Sequence, residues 1–233
     1  MIRTEHFIFN ALQTRCSVVW DEDGNCAFTD PCFTSESERS ELLSLVESKG
    51  LKPVCIMLTH CHFDHIYGMS SLSREYGIPV YAHLKELSTL EETNPYICRT
   101  FGLPLPETFP MIKRIGDAAL PGRFYPVKEG DTVEVGSLRF EVLETPGHTM
   151  GGVCYLERTE KLIFCGDTLF AGAIGRTDHP GGDYDQLMKS IFEKLMPLDG
   201  DINVVTGHGP MTDIATERMT NPFLMPFNEP NEE

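Results

Sequence analysis

The amino-acid sequence predicts an α+β fold, because a group of short strands is followed by helices in each half of the chain. Apolar runs of strand length recur, and patterns with helix caps and terminating glycines separate them. The length of 233 residues is enough for one large domain with a buried core or for two small ones. We expect a single domain over residues 1–233.

The first half is predicted to open with an antiparallel meander, since Asp23-Gly24 has the signal of a tight hairpin. A helix then begins at Ser35 or Ser37, where Glu38 can complete a capping box, and it ends at Gly50. We expect strands at 6–11, 15–20, 25–30, 54–58 and 78–82, and further helices at 66–76 and 83–92.

Residues 94–126 have a different character, with six prolines in 33 residues among aromatic and apolar side chains. A long irregular segment within a compact domain usually has a function, and the apolar content of this one argues against disorder. We therefore expect an irregular insertion that folds over the functional site.

The second half returns to regular structure. We expect hairpins pairing 133–135 with 138–143 and 153–156 with 162–165, because each pair of apolar runs flanks a short turn. A helix at 184–196 and a strand at 202–205 follow. Residues 221–233, rich in proline, asparagine and glutamate, are expected to form an irregular surface tail.

The charge of the chain limits its partners. Nineteen basic and thirty-five acidic residues give a net charge of −16, which would repel a nucleic acid backbone. No apolar run reaches the ~18 residues of a spanning helix, and the N-terminal residues lack the apolar core of a secretory signal. We expect a cytoplasmic monomer or homodimer that acts on a small molecule, without a nucleic acid or membrane partner.

Eight cysteines show no Cys-x-x-Cys pair, and several lie within apolar strands. We expect them to be buried, reduced thiols. Cys61 lies between two histidines, but in an extended loop its side chain should point away from theirs.

The stretch Thr59-His60-Cys61-His62-Phe63-Asp64-His65 directly follows the predicted strand at 54–58. It brings three imidazoles and a carboxylate to the carboxyl end of a strand, where α/β folds place their chemistry. Imidazole and carboxylate are ligands suited to zinc, iron or manganese. This stretch predicts a metal site.

Three further strand ends carry one potential ligand beside glycine: His148, Asp167 and His208. Seven candidate ligands exceed the three that a catalytic zinc takes from protein, whereas they suit two metals that share one carboxylate. Two metals ~3.5–4 Å apart can hold a hydroxide between them and polarise a substrate oxygen. The candidates are His60, His62, Asp64, His65, His148, Asp167 and His208.

These motifs resemble the metallo-β-lactamase superfamily, whose fold is a four-layer αββα sandwich of two mixed β-sheets flanked by helices. The resemblance implies a first metal bound by His60, His62 and His148 and a second bound by Asp64, His65 and His208, with Asp167 bridging. It also implies that Asp30, at the end of an early strand, orients a ligand loop. The similarity covers about residues 6 to 224, except for the proline-rich insertion.

Within the superfamily, Gly166-Asp167-Thr168-Leu169-Phe170 and Gly175-Arg176-Thr177-Asp178 are most similar to the glyoxalase II-like hydrolases. The stretches Thr206-Gly207-His208-Gly209-Pro210 and Asn221-Pro222-Phe223-Leu224 resemble their short, single-domain members. β-Lactamases of the best-known subclass differ at the position of His65. Glutathione-specific members carry a C-terminal helical domain with basic residues, whereas this chain ends 25 residues after His208 with only Arg218 in that part. Either the insertion supplies its own contacts to glutathione, with Lys113, Arg114 and Arg123 as candidates, or the thiol carrier is a different one.

The resemblance implies a hydroxyacyl thioester hydrolase that uses a metal-bridging hydroxide and two divalent ions, zinc in preference to iron or manganese. Asp64 or Asp167 would take the proton of the bridging water. Arg176, which could instead pair with Asp178 or Asp183, and His179 are candidate substrate contacts.

Two rival readings stand beside this one. Persulfide dioxygenases share the fold and similar motifs, and they hold a single iron, which here would bind His60, His148 and Asp167. The other rival is a metal protein without catalytic activity, which the complete ligand set makes improbable.

Overall fold

The chain folds as a sandwich of two mixed β-sheets flanked by helices, in a computed structural model that describes residues 1–108 and 124–225. The first sheet contains β1 (Arg3–Phe9), β2 (Thr14–Trp20), β3 (Asn25–Thr29), β4 (Lys52–Met57), β5 (Val80–His83) and β6 (Phe124–Val127) in that order. Strands β1 to β3 are antiparallel neighbours, as predicted, and β3 to β6 are parallel.

The second sheet has the order β14-β13-β10-β9-β8-β7. Both predicted hairpins are present, and β10 and β13 are parallel. A separate two-stranded ribbon pairs β11 with β12. The strands are β7 (Thr132–Val135), β8 (Leu138–Glu144), β9 (Val153–Glu157), β10 (Leu162–Gly166), β11 (Leu169–Phe170), β12 (Ala173–Ile174), β13 (Asn203–Thr206) and β14 (Thr212–Asp213).

Two helical layers cover the outer faces of the sheets. The helices are α1 (Glu36–Lys49), α2 (Phe63–Ile66), α3 (Met69–Tyr76), α4 (Glu86–Ser88), α5 (Asn94–Phe101), α6 (Tyr184–Ser190) and α7 (Ile214–Thr220). Wider, π-helical turns join α4 to α5 at Thr89–Thr93 and extend α6 at Ile191–Leu195. Within the described ranges, no helix is both long and apolar enough to cross a membrane.

Alternation along the strands builds the four layers. In β4, Ile56 belongs to a core shared with α1 and α3, whereas Cys55 and Met57 face a second core between the sheets. A third core packs the far face of the second sheet against α6 and α7. Because side chains on a strand point alternately to opposite faces, one apolar strand serves two cores.

Residues 94–126 were predicted to be irregular, but the segment begins with a helix and ends with a strand. Its start continues a helix from α4 as α5, with Pro95 in the first turn, where a missing N–H costs no hydrogen bond. Its end is strand β6. Residues 109–123, which include Lys113, Arg114 and Arg123, lie outside the described residues.

Two other expectations need correction. The helix predicted at 66–76 is divided into α2 and α3 at Gly68, where an added Cβ would lie 2.3 Å from the Phe33 ring. The tail predicted to lie on the surface begins instead with anchored residues, since Asn221 and Leu224 are fully buried. Residues 226–233 lie outside the described part. Helix α7 and the short strands β11, β12 and β14 were not predicted.

The capping box expected at Ser35 is present, and it also ties α1 to the first hairpin. The Glu38 carboxylate accepts hydrogen bonds from the backbone N–H groups of Thr34, Ser35 and Asn10, at 2.7, 3.0 and 2.7 Å. Asn10 in turn donates from its side-chain amide to the backbone carbonyl of Asp64 at 3.1 Å. The N-terminus of α1 is therefore linked to the metal-motif loop.

Replacing Glu38 with alanine should lower the free energy of unfolding by about 2 kcal/mol, since three backbone donors lose their acceptor. The measurement is chemical denaturation followed by circular dichroism. Glu41→Ala, an exposed change in the same helix, is the control and should stay within about 0.5 kcal/mol of the wild type. Equal stabilities of the two variants would contradict the linking role of Glu38.

Candidate metal centre

The predicted site residues follow the carboxyl ends of five strands. Asp30 follows β3, the 60–65 stretch follows β4, and His148, Asp167 and His208 follow β8, β10 and β13. Backbone hydrogen bonds join these loops, from Val153 N to Thr59 O at 2.8 Å and from Gly207 N to Gly166 O at 2.7 Å. Because β3 and β4 are parallel, and so are β10 and β13, the loops meet at one edge of the sandwich.

His60, His62 and His148 form the first group, whose potential ligand nitrogens all lie within 4.8 Å of one another. His62 Nδ1 lies 2.8 Å from His148 Nε2. Buried His60 Nε2 and His62 Nε2 have no hydrogen-bond partner. Buried polar atoms are normally paired, so two unpaired imidazole nitrogens at one place fit a site that binds a metal ion.

Asp64, His65 and His208 form the second group, again with ligand atoms within 4.8 Å of one another. His208 Nε2 lies 3.5 Å from Asp64 Oδ2, and His65 Nε2 lies 3.6 Å from the same oxygen. The two imidazole Nε2 atoms are 3.4 Å apart. Nitrogens and a carboxylate therefore converge on one point.

Asp167 lies between the two groups. Its Oδ2 is 3.6 Å from His148 Nε2 in the first group and 3.5 Å from His208 Nε2 in the second. Its Oδ1 is 3.4 Å from His65 Nε2, and this buried oxygen has no hydrogen-bond partner. One carboxylate thus reaches both groups, as a shared ligand must.

Four imidazoles are oriented by oxygen atoms on their far side. His148 and His208 donate from Nδ1 to the carbonyls of Arg176 and Leu12, at 2.7 and 3.1 Å. His65 donates from Nδ1 to an Asp30 oxygen at 3.2 Å. His60 Nδ1 lies 3.1 Å from the Thr59 hydroxyl, which itself donates to Asp30. This arrangement orients the four rings and turns their Nε2 atoms towards the cluster.

The two groups of the cluster differ in charge when no metal is bound: against the effect of burial, Asp64 and Asp167 raise the pKa of His65 well above its usual value and that of His208 to about 9, whereas the first group is neutral. Burial lowers the pKa of His60, His62 and His148, so these imidazoles are neutral and offer lone pairs. Burial alone would raise the pKa of Asp64, but neighbouring His65 and His208 outweigh it and bring the value to about 2. The pKa of Asp167 is likewise held well below its usual value by nearby histidines, against the effect of burial. Both carboxylates are anionic at neutral pH.

Asp30 lies where an orienting residue is needed. Its oxygens accept from the Thr59 backbone N–H at 2.8 Å, from the Thr59 hydroxyl at 2.6 Å and from His65 Nδ1. Both oxygens of the Asp30 carboxylate are therefore occupied by hydrogen bonds to the loop. Asp30 itself adopts a left-handed backbone conformation with φ of 48°, which is costly for a residue with a side chain. It joins the end of β3 to the metal-motif loop.

Glycine beside the ligands allows close approach of the backbone. At Gly207 an added Cβ would lie 2.1 Å from Asp167 Oδ1 and 2.9 Å from His65 Cε1. At Gly166, where φ is 49°, it would lie 2.1 Å from the Thr59 hydroxyl. Any side chain at these two positions would displace ligand loops.

Sequence reasoning missed Glu86, a fully buried carboxylate on α4. One oxygen accepts from the Cys61 backbone N–H at 2.7 Å, and the other accepts from the Thr149 hydroxyl at 2.6 Å and Gly151 N–H at 3.0 Å. Burial raises the pKa of Glu86, and these hydrogen bonds oppose that rise. Glu86 thus clamps the loop of His60 and His62 to the loop that follows His148. The only sequence signal is its spacing of four residues from buried Leu90, on one helical face.

Asn94 was also missed, because it lay in the segment predicted to be irregular. Its side-chain amide donates to the Cys61 carbonyl at 2.7 Å, and its amide oxygen accepts from the Phe63 N–H at 3.0 Å. The Cys61 side chain is fully buried in the first core and belongs to neither ligand group.

The predicted substrate contacts line a cavity of about 620 Å³ that opens above the ligands. Arg176 lies at this cavity but pairs with Asp178 through two hydrogen bonds of 2.7 and 2.8 Å, the structural alternative foreseen for it. The His179 ring lies 6.0 Å from the His62 ring. Arg218 donates to the carbonyls of Met196 and Leu198.

The fold and this cluster define a metal-binding protein of the αββα type, with oxygen and nitrogen ligands that suit divalent metal ions. Residues 9–208 match the model of the metallo-beta-lactamase superfamily, and the chain belongs to this family of metallo-hydrolases. It is 38% identical to hydroxyacylglutathione hydrolase GloC of Haemophilus influenzae, over 92% of this chain and 94% of the relative.

Two solved structures are similar. The B3 metallo-β-lactamase BLEG-1 is 32% identical with a TM-score of 0.81, over 95% of this chain and 99% of its own. TTHA1623, solved in a di-iron-bound form, is 33% identical with a TM-score of 0.78, over 94% and 100% of the two chains.

Glu86→Gln should weaken metal retention about tenfold to a hundredfold, since one buried loop donor would then face an amide N–H₂ instead of an oxygen. The measurement is competition with a chromophoric chelator. Glu91→Gln, an exposed change in the helix that continues from α4, is the matched control. Unchanged retention in Glu86→Gln, with the fold intact by circular dichroism, would show that this carboxylate does not position the ligand loops.

Proposed function

We propose that the protein is a dinuclear, glyoxalase II-like hydrolase of hydroxyacyl thioesters. The observation that carries the proposal is the division of the candidate ligands into two groups that share Asp167. His60, His62 and His148 would hold one ion, and Asp64, His65 and His208 the other. The relative from Haemophilus influenzae, named as a hydroxyacylglutathione hydrolase, supports this substrate class.

Two divalent ions, zinc in the first instance, supply an activated water at neutral pH and polarise the substrate carbonyl when bound. The protein contributes position and charge. Asp64 also accepts from the Thr14 hydroxyl at 2.7 Å, which fixes its Oδ2. Because Asp64 and Asp167 are ionised at neutral pH, either carboxylate can take the proton that the attacking water releases.

The protein needs no general acid to protonate the leaving group. A thiol has an ordinary pKa of about 8.5, so the thiolate departs without a strong general acid. Arg176 and His179 lie at the mouth of the cavity, where they can contact polar parts of the substrate. The largely apolar lining would lower the local dielectric constant around the scissile bond and so strengthen the electrostatic interactions there.

Persulfide dioxygenase chemistry is the alternative that the same residues permit. It needs one iron held by His60, His148 and Asp167, and it makes no use of Asp64 as a ligand. The di-iron-bound relative adds a reason to measure iron directly in this protein. The two functions therefore differ in metal stoichiometry and in their dependence on the second group.

Purified protein should contain about two metal ions per chain, hydrolyse S-lactoylglutathione, and consume no oxygen with glutathione persulfide. Asp64→Asn should lose one ion and reduce kcat/KM at least about a hundredfold, because the second group loses its charge. Asp185→Asn, on the exposed face of α6, is the control. One iron per chain, oxygen uptake and an active Asp64→Asn variant would overturn the hydrolase in favour of the dioxygenase.

A further inference from the structure

The cavity above the ligands is asymmetric in its chemistry. Its floor carries polar groups of the candidate metal centre, whereas apolar side chains from the first hairpin, from α5 and from the ribbon of β11 and β12 form much of the remaining lining, here called the apolar wall. The apolar wall consists of Leu12, Ile97, Phe101, Leu103, Phe170 and Ile174. A volume of about 620 Å³ lies within the range of about 300–1,000 Å³ that is usual for small-molecule sites.

The wall is held at a fixed place relative to the ligands. Asn94, the first residue of α5, bonds to the backbone of both Cys61 and Phe63 in the metal-motif loop. Ile97 and Cys98 on the next turn pack against the Phe63 side chain. Side chains on α5 therefore stand at a set distance from the imidazoles and carboxylates.

The far end of the wall is fixed as well. Gly102 ends α5 in a left-handed conformation with φ of 66°, and Leu103 N–H bonds to the Cys98 carbonyl at 2.8 Å. The Tyr67 hydroxyl donates to the Pro104 carbonyl at 2.9 Å. Phe101 and Leu103 are nonetheless 66% and 38% exposed. Because both side chains line the cavity, they add exposed apolar surface that a ligand in the cavity can cover.

Charge at the cavity favours an apolar ligand too. Among the described residues that line it, Arg176 is the only arginine or lysine, and Asp178 already neutralises its guanidinium. With two divalent ions bound, as proposed above, the charges of Asp64 and Asp167 are compensated, and a ligand with several carboxylates would find no unpaired arginine or lysine among the described residues of this lining. An alkyl or aryl group, by contrast, gains binding free energy with each methylene that it buries against this lining.

We propose that this cavity selects thioesters with an apolar alkyl or aryl group beside the scissile bond, seated against the α5 wall. The selection rests on the thioester hydrolase proposed above. The apolar group can be carried on the acyl side or on the thiol side of the bond, and both present the same chemistry to Phe101 and Leu103. The protein then acts on apolar thioesters better than on S-lactoylglutathione.

Two substrate series separate the acyl and thiol sources. One extends the acyl group from acetyl through butanoyl and hexanoyl to octanoyl on N-acetylcysteamine, and the other extends an alkyl thiol on a fixed lactoyl group. We expect kcat/KM to rise about twofold to fourfold per methylene in one series. A flat or falling trend in both would overturn the proposal.

Variants of the wall test its location. Phe101→Ala and Leu103→Ala should each reduce the ratio of kcat/KM between the longest and shortest members of the responsive series about tenfold. Both residues are partly exposed, so the changes spare the cores. Tyr96→Ala removes another exposed aromatic residue of α5 that does not line the cavity, and its ratio should equal that of the wild type. A Phe101→Ala ratio equal to the Tyr96→Ala ratio would place the apolar site elsewhere.

Binding without turnover distinguishes this inference from the hydrolase itself. Alkyl thioether analogues, which cannot be hydrolysed, should bind the purified metal-loaded protein more tightly as the chain lengthens, measured by calorimetry. Chain-dependent binding without hydrolysis of any thioester would support the apolar cavity and overturn the hydrolase. Efficient hydrolysis of S-lactoylglutathione with neither chain-dependent binding nor chain-dependent kcat/KM would overturn the apolar selection and leave the hydrolase standing.

Discussion

The structure depends on two buried carboxylates that hold one loop between them. In the loop after β4, Asp30 accepts hydrogen bonds from Thr59 and His65, and Glu86 accepts one from Cys61. An anion in a low-dielectric interior is costly unless several donors compensate it, and each of these carboxylates has at least three. These hydrogen bonds hold the histidines of the loop close together, although His60 Nε2 and His62 Nε2 are buried without a hydrogen-bond partner.

Sheet direction explains how the second half of the cluster reaches the first. In each sheet, the strands that carry ligands run the same way, so their carboxyl ends open at the same edge. The two edges meet where Gly166 and Gly207 let the backbone of one sheet approach the loop of the other. Asp167 lies at that seam and therefore reaches both ligand groups. The direction of the strands thus brings the candidate ligands to one edge of the sandwich, and hydrogen bonds within the loops orient their side chains.

Much of the fold and the ligand set could be predicted, because apolar strands followed by isolated histidines and carboxylates leave a local signal. What escaped prediction is non-local. Glu86 reads as an ordinary surface acid in the sequence, since its partners are 25 to 65 residues away along the chain. Helix α5 was not predicted because the segment is rich in proline. Pro95 lies in the first turn of the helix, where proline is tolerated because its missing N–H costs no hydrogen bond. Two-residue strands such as β14 lack any periodicity to read.

The attachment of α5 has a consequence for how the protein can change over time. The helix meets the ligand loop chiefly through the amide of Asn94 and the packing of Ile97 on Phe63. Phe101 and Leu103 project beyond that attachment and lie outside the cores, so replacing them costs little folding stability. Natural variation at these two positions can therefore alter substrate range while the reactive centre is inherited intact. Hydrolases that descend from one ancestor could differ in the substrates that they accept while they keep the same reaction.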